Sequence, residues 1–338
     1  MSTPAIHPRE ALFDASEVAV SLPVCDHYCG VESRMRKSLE LQTQLGPVFD
    51  ITLDCEDGAP IGSEAEHAHM VAELALSPAN SFGRVGARVH PVDHPSFAQD
   101  VATLVGQAGA RLAYLMVPKP RGLADVSTAC EAIAQQLQAH GITRRLPVHV
   151  LIETHGALRE VEAIAAHPAV ESLSFGLMDF VSAHRGAIPF AAIGAEGQFT
   201  HPLVVRAKLA IAAACHGHAK TPSHCVITEF NDVDAVADAA SRALREFGYT
   251  RMWSIHPNQI EPIVAAFAPS AAEVDMAVDV ITEAQDARWA PIRLHDVLHD
   301  RASYRYFWQV LERAERTGQP LPAEVRHRFF GDAVMLQT

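Results

Sequence analysis

The sequence predicts an α/β fold, a (β/α)8 TIM barrel followed by a C-terminal helical extension, and three observations predict it. Eight short apolar or β-branched runs each precede a stretch of helical pattern, which is the signature of parallel βαβ units. Neither GxGxxG nor GxxxxGK[ST] occurs, so the glycine-rich turn of an open nucleotide-binding sheet is missing. Polar and ionisable residues recur just after the strand runs: Asp54, Glu56 and Asp57; Arg88 and His90; Lys119; Glu153; Asp179; Glu229; His256. A closed barrel gathers all such positions on one rim, where barrel active sites sit.

Taken in order, residues 1–16 lack the basic flank and apolar centre of a signal peptide and read as a loosely held leader. Strands are expected at 18–24, 48–54, 85–90, 112–117, 148–153, 170–175, 224–228 and 251–255. The helices between and after them are expected at 33–45, 63–76, 96–108, 123–140, 156–166, 202–216, 233–247 and 259–267. Asn231 or Asp232 can cap the seventh helix, and Gly141 and Gly248 follow the fourth and the seventh. Residues 182–201, rich in Gly, Ala and Pro, read as an insertion bordering the rim. The barrel is expected to occupy 17–268. The remaining 269–338 carries helices at 271–288 and 304–317 and is expected to pack on a neighbouring subunit.

Composition narrows the function classes. A chain of 338 residues that is 49% apolar supports a sizeable core, and no run of about 18 apolar residues marks a membrane span. A formal charge of −13 argues against nucleic acid or anionic lipid as the main partner, although local Arg and Lys can still dominate one pocket. Six scattered cysteines without a CxxC pair suggest reduced thiols in a cytoplasm. Cys25, His27 and Cys29 could bind zinc, but a structural site wants four ligands and no second pair stands at a suitable spacing.

The chemistry gathers in residues 146–180, LPVHVLIETHGALREVEAIAAHPAVESLSFGLMDF. This stretch reads as strand, helix, strand, so Glu153 and Asp179 leave neighbouring strand ends on one rim. Two adjacent carboxylates repel, and the usual remedies are a shared proton or a cation. A hard ion held by one or two carboxylates plus waters, with positions left for substrate oxygens, describes Mg2+, with Mn2+ as its substitute.

Several ordered motifs resemble the CoA-ester lyases related to the citrate lyase β subunit and malyl-CoA lyase, within the HpcH/HpaI aldolase group. LDCEDGAP (53–60) is similar to the family's acidic D-x-E-D turn, ARVHP (87–91) to its VRxNP segment and VPKP (117–120) to its LPK. LIETHG (151–156) and FGLMDF (175–180) match the two magnesium-ligand segments, and WSIHPNQI (253–260) is close to IHPxQ. The resemblance covers roughly residues 18–311 and implies a role for each matching residue. Glu153 and Asp179 would hold magnesium. Arg88 would face the oxyanion that develops on a thioester as it becomes an enolate. Glu56 and Asp57 would orient Arg88, and Lys119 would add positive charge.

Ser33, Arg34, Met35 and Lys37 resemble the family's P-R-M-x-K segment, so Arg34 and Lys37 would meet the phosphates of CoA, which enters as part of the substrate. The family's general base, an aspartate reaching in from the neighbouring subunit of a homo-oligomer (a trimer or its multiple), corresponds best to Asp300 in LHDVLHDRASYRYF. His299 and Asp296 are its rivals. The implied activity is carbon–carbon cleavage or formation of a 3-hydroxyacyl-CoA from an acyl-CoA enolate and a 2-oxo acid. The alternatives are a CoA-independent 2-oxo acid aldolase on the same barrel and a barrel that binds metabolites without turnover.

Overall fold

The computed structural model describes residues 6–14 and 21–331, which divide into two compact units: 21–266, and 6–14 together with 267–331. A short helix, α1 (Pro8–Leu12), belongs to the second of these. The larger unit then runs β1 (Cys25–Cys29), α2 (Glu32–Leu45), β2 (Phe49–Asp54), α3 (Glu64–Leu76), β3 (Val85–Arg88), α4 (Phe97–Ala108), β4 (Leu115–Val117) and α5 (Leu123–Ala139). It continues with β5 (Val148–Ile152), a helix broken into α6 (His155–Arg159) and α7 (Val161–Ala166), β6 (Val170–Phe175), α8 (Leu177–Ser182), α9 (Gly197–Thr200) and α10 (Pro202–Gly217). β7 (Thr221–His224), α11 (Val233–Phe247), β8 (Arg251–Ser254) and α12 (Ile260–Phe267) complete it. The eight strands pair in parallel in chain order and β8 pairs with β1, so the sheet closes. The fold is the expected (β/α)8 TIM barrel.

Strands covered on both faces need apolar or internally paired side chains throughout, and all six residues of β2 are buried. Outside, helices lay one stripe on the barrel. In α11, Val236, Ala239, Ala240, Ala243 and Phe247 are buried at helical spacing. Asp232 caps it by accepting from Ala235 N at 3.0 Å, and Gly248 ends it at φ 72°.

The first strand departs from the expected position. The apolar run at 18–24 was the natural candidate, yet β1 is the polar CDHYC, with residues 21–24 outside any strand and 18–20 outside the described residues. The reason is the barrel interior. Asp26 on β1 accepts from Thr52 Oγ1 (2.7 Å) on β2 and from Tyr114 Oη (3.0 Å), and it meets Arg251 Nη2 of β8 at 3.1 Å. Arg251 Nη1 also reaches Asp50 Oδ2 (2.6 Å) and the Pro23 carbonyl (2.8 Å). Residues from β2, β8 and the approach to β4 touch one another only across a closed interior, and a charged strand is stable there because its charges are paired. β7 likewise lies at Thr221–His224 rather than 224–228, because Ser223 and His224 keep register with Arg251 and Met252 while the chain beyond turns onto the rim.

The smaller unit comprises α1, α13 (Ala271–Asp286), a hairpin of β9 (Ile292–Leu294) and β10 (Val297–His299), α14 (Arg301–Arg316) and α15 (Ala323–Phe330). Its core joins Leu12, Val280, Ile281, Tyr304, Trp308, Leu311 and Phe329. The leader is therefore not loose where it is described: Leu12 is buried, and its carbonyl accepts from Arg305 Nε (2.7 Å) and Arg301 Nη2 (3.1 Å). Proline at the first helical position and the His7 cap explain why so short a helix forms. Among the described residues no helix is long and apolar enough to cross a membrane.

Candidate active site

At the C-terminal ends of the strands a charged cluster is built from Asp54 outward. This buried carboxylate ends β2 and accepts from Arg88 Nε at 2.6 Å and Glu56 N at 3.0 Å on Oδ1. Its Oδ2 accepts from Arg88 Nη2 at 2.8 Å, from Gly58 N at 2.6 Å and from the Tyr28 hydroxyl. Burial pushes the Asp54 carboxyl up, but Arg88 and these hydrogen bonds outweigh it and hold the group below the usual range. The Arg88 guanidinium is buried as well, which disfavours its charge. Asp54, Tyr28 and Glu56 reverse that and hold it more firmly charged than an ordinary arginine.

Glu56 spans two cations, with Oε2 at 3.1 Å from Arg88 Nη1 and Oε1 at 2.5 Å from Lys119 Nζ. Asp57 does not orient Arg88 as expected. One residue further along the turn its side chain is half exposed, and it meets Lys119 Nζ at 2.6 Å instead. The partner that fixes Arg88 is Asp54, a residue noted among the strand-end acids but not assigned a role; Tyr28 gave no signal beyond its place in CDHYC.

Lys119 follows β4 in a left-handed conformation (φ 49°), uncommon for a residue with a side chain. The conformation lets it serve two neighbours. Its backbone N–H donates to Glu153 Oε1 at 2.7 Å, and its ammonium lies 3.8 Å from Asp179 Oδ1. Glu153, after β5, is 3% exposed, and burial together with the adjacent Asp179 pushes its carboxyl up to about 8. Asp179 stands in the first turn of α8, after β6, with its side chain 43% exposed. Gly176, at the end of β6, is where Glu153 crosses: a Cβ there would lie 2.2 Å from Glu153 Oε2 and 2.5 Å from Glu153 Cβ.

The structure thus brings Arg88, Glu56, Asp57, Lys119, Glu153 and Asp179 into one cluster. Among the described residues no group of three or more His, Cys, Asp or Glu side chains is arranged to hold a metal, and this includes Cys25, His27 and Cys29, whose cysteines are all buried free thiols. The Glu153–Asp179 pair fits a hard cation differently, as two carboxylates with waters completing the shell. The donors are hard oxygens, and one carboxyl resists ionisation in the absence of added positive charge.

Beside the cluster opens a cleft of about 760 Å3, lined by Tyr28, Arg34, Lys37, Asp57, Phe230 and His256 among others. Arg34 and Lys37 reach it from the first turns of α2, and Phe230 stacks on His256 with centroids 4.9 Å apart. Asp300 lies in the smaller unit. There it is the N-cap of α14, accepting from Ala302 N (3.0 Å) and Ser303 N (3.4 Å).

Comparison with known proteins identifies the family. Residues 49–257 match the HpcH/HpaI aldolase/citrate lyase family. The chain is 30% identical over 252 residues to the L-malyl-CoA/beta-methylmalyl-CoA lyase of Cereibacter sphaeroides, covering 70% of this chain and 77% of that one. A crystal structure of a citrate lyase from Burkholderia xenovorans is 55% identical, covers 95% of this chain and 98% of its own, and superposes with a TM-score of 0.82. The CitE protein of Mycobacterium tuberculosis, solved with magnesium, acetoacetate and coenzyme A, shares the fold at 19% identity and a TM-score of 0.66, over 87% of this chain and 99% of its own. Barrel, charged rim and sequence agree: the chain belongs to the HpcH/HpaI aldolase/citrate lyase family and is a carbon–carbon lyase.

Proposed function

We propose that the protein is a magnesium-dependent CoA-ester lyase, cleaving or forming a 3-hydroxyacyl-CoA thioester from an acyl-CoA enolate and a 2-oxo acid. One observation carries the reading: the Glu153–Asp179 pair, the buried Arg88 and a cleft bearing Arg34 and Lys37 share one stretch of rim. The relatives named for malyl-CoA cleavage and for binding magnesium with coenzyme A support it.

In cleavage the 3-hydroxyl gives its proton to water and the bond to the carbon next to the thioester breaks. The electron pair moves onto the thioester oxygen, and the carbinol becomes the carbonyl of the 2-oxo acid. Glu153 and Asp179 hold magnesium in this reading, and when bound it supplies Lewis-acid polarisation of the oxo-acid oxygens. Arg88 faces the enolate oxyanion, where fixed positive charge lowers the barrier most. Glu56 braces Arg88, and Asp57 braces Lys119, whose ammonium adds to the positive field. Arg34 and Lys37 take the CoA phosphates. Asp300, delivered by a second copy, moves the proton on the enolate carbon; the same reading makes the protein a cytoplasmic homo-oligomer, a trimer or its multiple.

A cleft of this size with two cations favours a CoA thioester over a free oxo acid as the second fragment. The test is turnover of malyl-type CoA thioesters by purified protein, followed by chromatography of the acyl-CoA and oxo acid, with and without magnesium. Magnesium-dependent cleavage is the expected result; aldol turnover of 2-oxo acids that ignores CoA would replace the reading with the CoA-independent one.

A further inference from the structure

Resting on the CoA-ester lyase reading, we infer that Tyr28 is a positioning residue that fixes Arg88 and joins it to the wall of the thioester cleft. A guanidinium has five N–H donors. Arg88 gives Nε to Asp54 Oδ1 (2.6 Å) and Nη2 to Asp54 Oδ2 (2.8 Å) and to Tyr28 Oη (2.6 Å), while its Nη1 forms an ion pair with Glu56 Oε2 at 3.1 Å that lacks hydrogen-bond alignment. Neither N–H on Nη1 makes a hydrogen bond among the described residues, so Nη1 is the nitrogen left to donate to a substrate oxygen. Two hydrogen bonds to one carboxylate define an axis about which the planar group still tilts. The Tyr28 hydroxyl adds a third point off that axis, and Arg88 Cζ lies 4.8 Å from the Tyr28 ring centroid, which restricts the tilt.

Tyr28 is held in turn. Its ring stacks on Trp253, centroids 5.7 Å apart and planes within 10°, and it lines the cleft that carries Arg34 and Lys37. Its hydroxyl is enclosed by the β2 turn: a Cβ at Gly58 would stand 2.2 Å from Tyr28 Oη, so only glycine lets the turn close there. Enclosed in this way, the hydroxyl donates to Asp54 and accepts from Arg88. Burial, opposed by Arg88 and aided by Asp54, keeps the phenol neutral. Tyr28 therefore orients the arginine and transfers no proton. A ligand pressed against the ring is felt at Arg88 through one hydrogen bond.

The test compares wild type with Tyr28→Phe, which keeps the ring and its stacking, and with Gly58→Ala, which crowds the hydroxyl from the other side. Two readouts are taken: steady-state cleavage of a malyl-type CoA thioester, and the rate at which phenylglyoxal modifies Arg88, mapped by peptide mass spectrometry. Tyr28→Phe is expected to lower kcat roughly tenfold, with KM for the thioester within about twofold, because a charge-assisted hydrogen bond used in the transition state is lost. Arg88 modification is expected to accelerate severalfold in both variants. Wild-type labelling rates, or an effect confined to KM, would overturn the inference. Faster labelling with no thioester turnover in any protein, wild type included, would uphold the positioning role and count against the lyase reading instead.

Discussion

Lys208 and Lys119 show two ways of keeping an ammonium inside a barrel enzyme. Lys119 sits among carboxylates and stays charged more firmly than a free lysine, despite burial. Lys208, on α10, is fully buried, donates to Gln198 Oε1 at 2.9 Å and lies 3.8 Å from the Phe199 ring centroid; burial brings its pKa down to about 8. The unfolded chain holds that proton up to about 10.5, so between about 8 and 10.5 it binds more protons than the native state, and stability rises with pH across that window. Below pH 8 the fold carries the cost of the buried charge, on the order of 3 kcal/mol. Lys208→Met is expected to stabilise the protein at pH 7 by roughly 1–3 kcal/mol and to flatten the rise between pH 8 and 10.5, measured by urea unfolding. A destabilised variant, or an unchanged pH dependence, would refute this. At this scale the sequence was informative wherever a strand end carried an acid or a cation, as at Glu56, Arg88, Lys119, Glu153 and Asp179. It was silent about Tyr28, since nothing in CDHYC shows that β2 and β3 bring Asp54 and Arg88 to its hydroxyl.

β1 and β8 explain which elements were legible. Where buried apolar residues anchor the strand, as Val148, Val150 and Ile152 do in β5 and Val170, Leu173 and Phe175 in β6, strands fall within a residue or so of their expected positions. β1 was displaced because its inward residue is Asp26, and its stability depends on Arg251, about three-quarters of the way along the chain. The hairpin of β9 and β10 was missed because strands of three residues carry no usable period. Arg251 is fully buried and shared by Asp26 and Asp50, so Arg251→Met is expected to destabilise the protein by about 3–5 kcal/mol, leaving Asp26 without its cation and Asp50 with the partly exposed Arg84 3.9 Å away. Chemical denaturation checks it. A loss below about 1 kcal/mol would mean that the interior acids do not depend on this arginine.

For the whole molecule, the barrel carries the charged cluster while Asp300 stands in the smaller unit at the head of α14. Asn caps a helix as well as Asp does, so Asp300→Asn is expected to leave the melting temperature unchanged while abolishing turnover. If Asp300 serves a neighbouring copy in a cyclic oligomer, mixing inactive Asp300→Asn with inactive Asp179→Ala through subunit exchange restores roughly a quarter of wild-type activity. No recovery would confine each site to one chain. The cation itself is tested most directly by anomalous diffraction from crystals soaked in Mn2+, for wild type and Asp179→Ala. The account predicts one peak within about 2.2 Å of carboxylate oxygens of both Glu153 and Asp179 in the wild type, and none in the variant. A peak bound elsewhere, or one that survives the substitution, would contradict it.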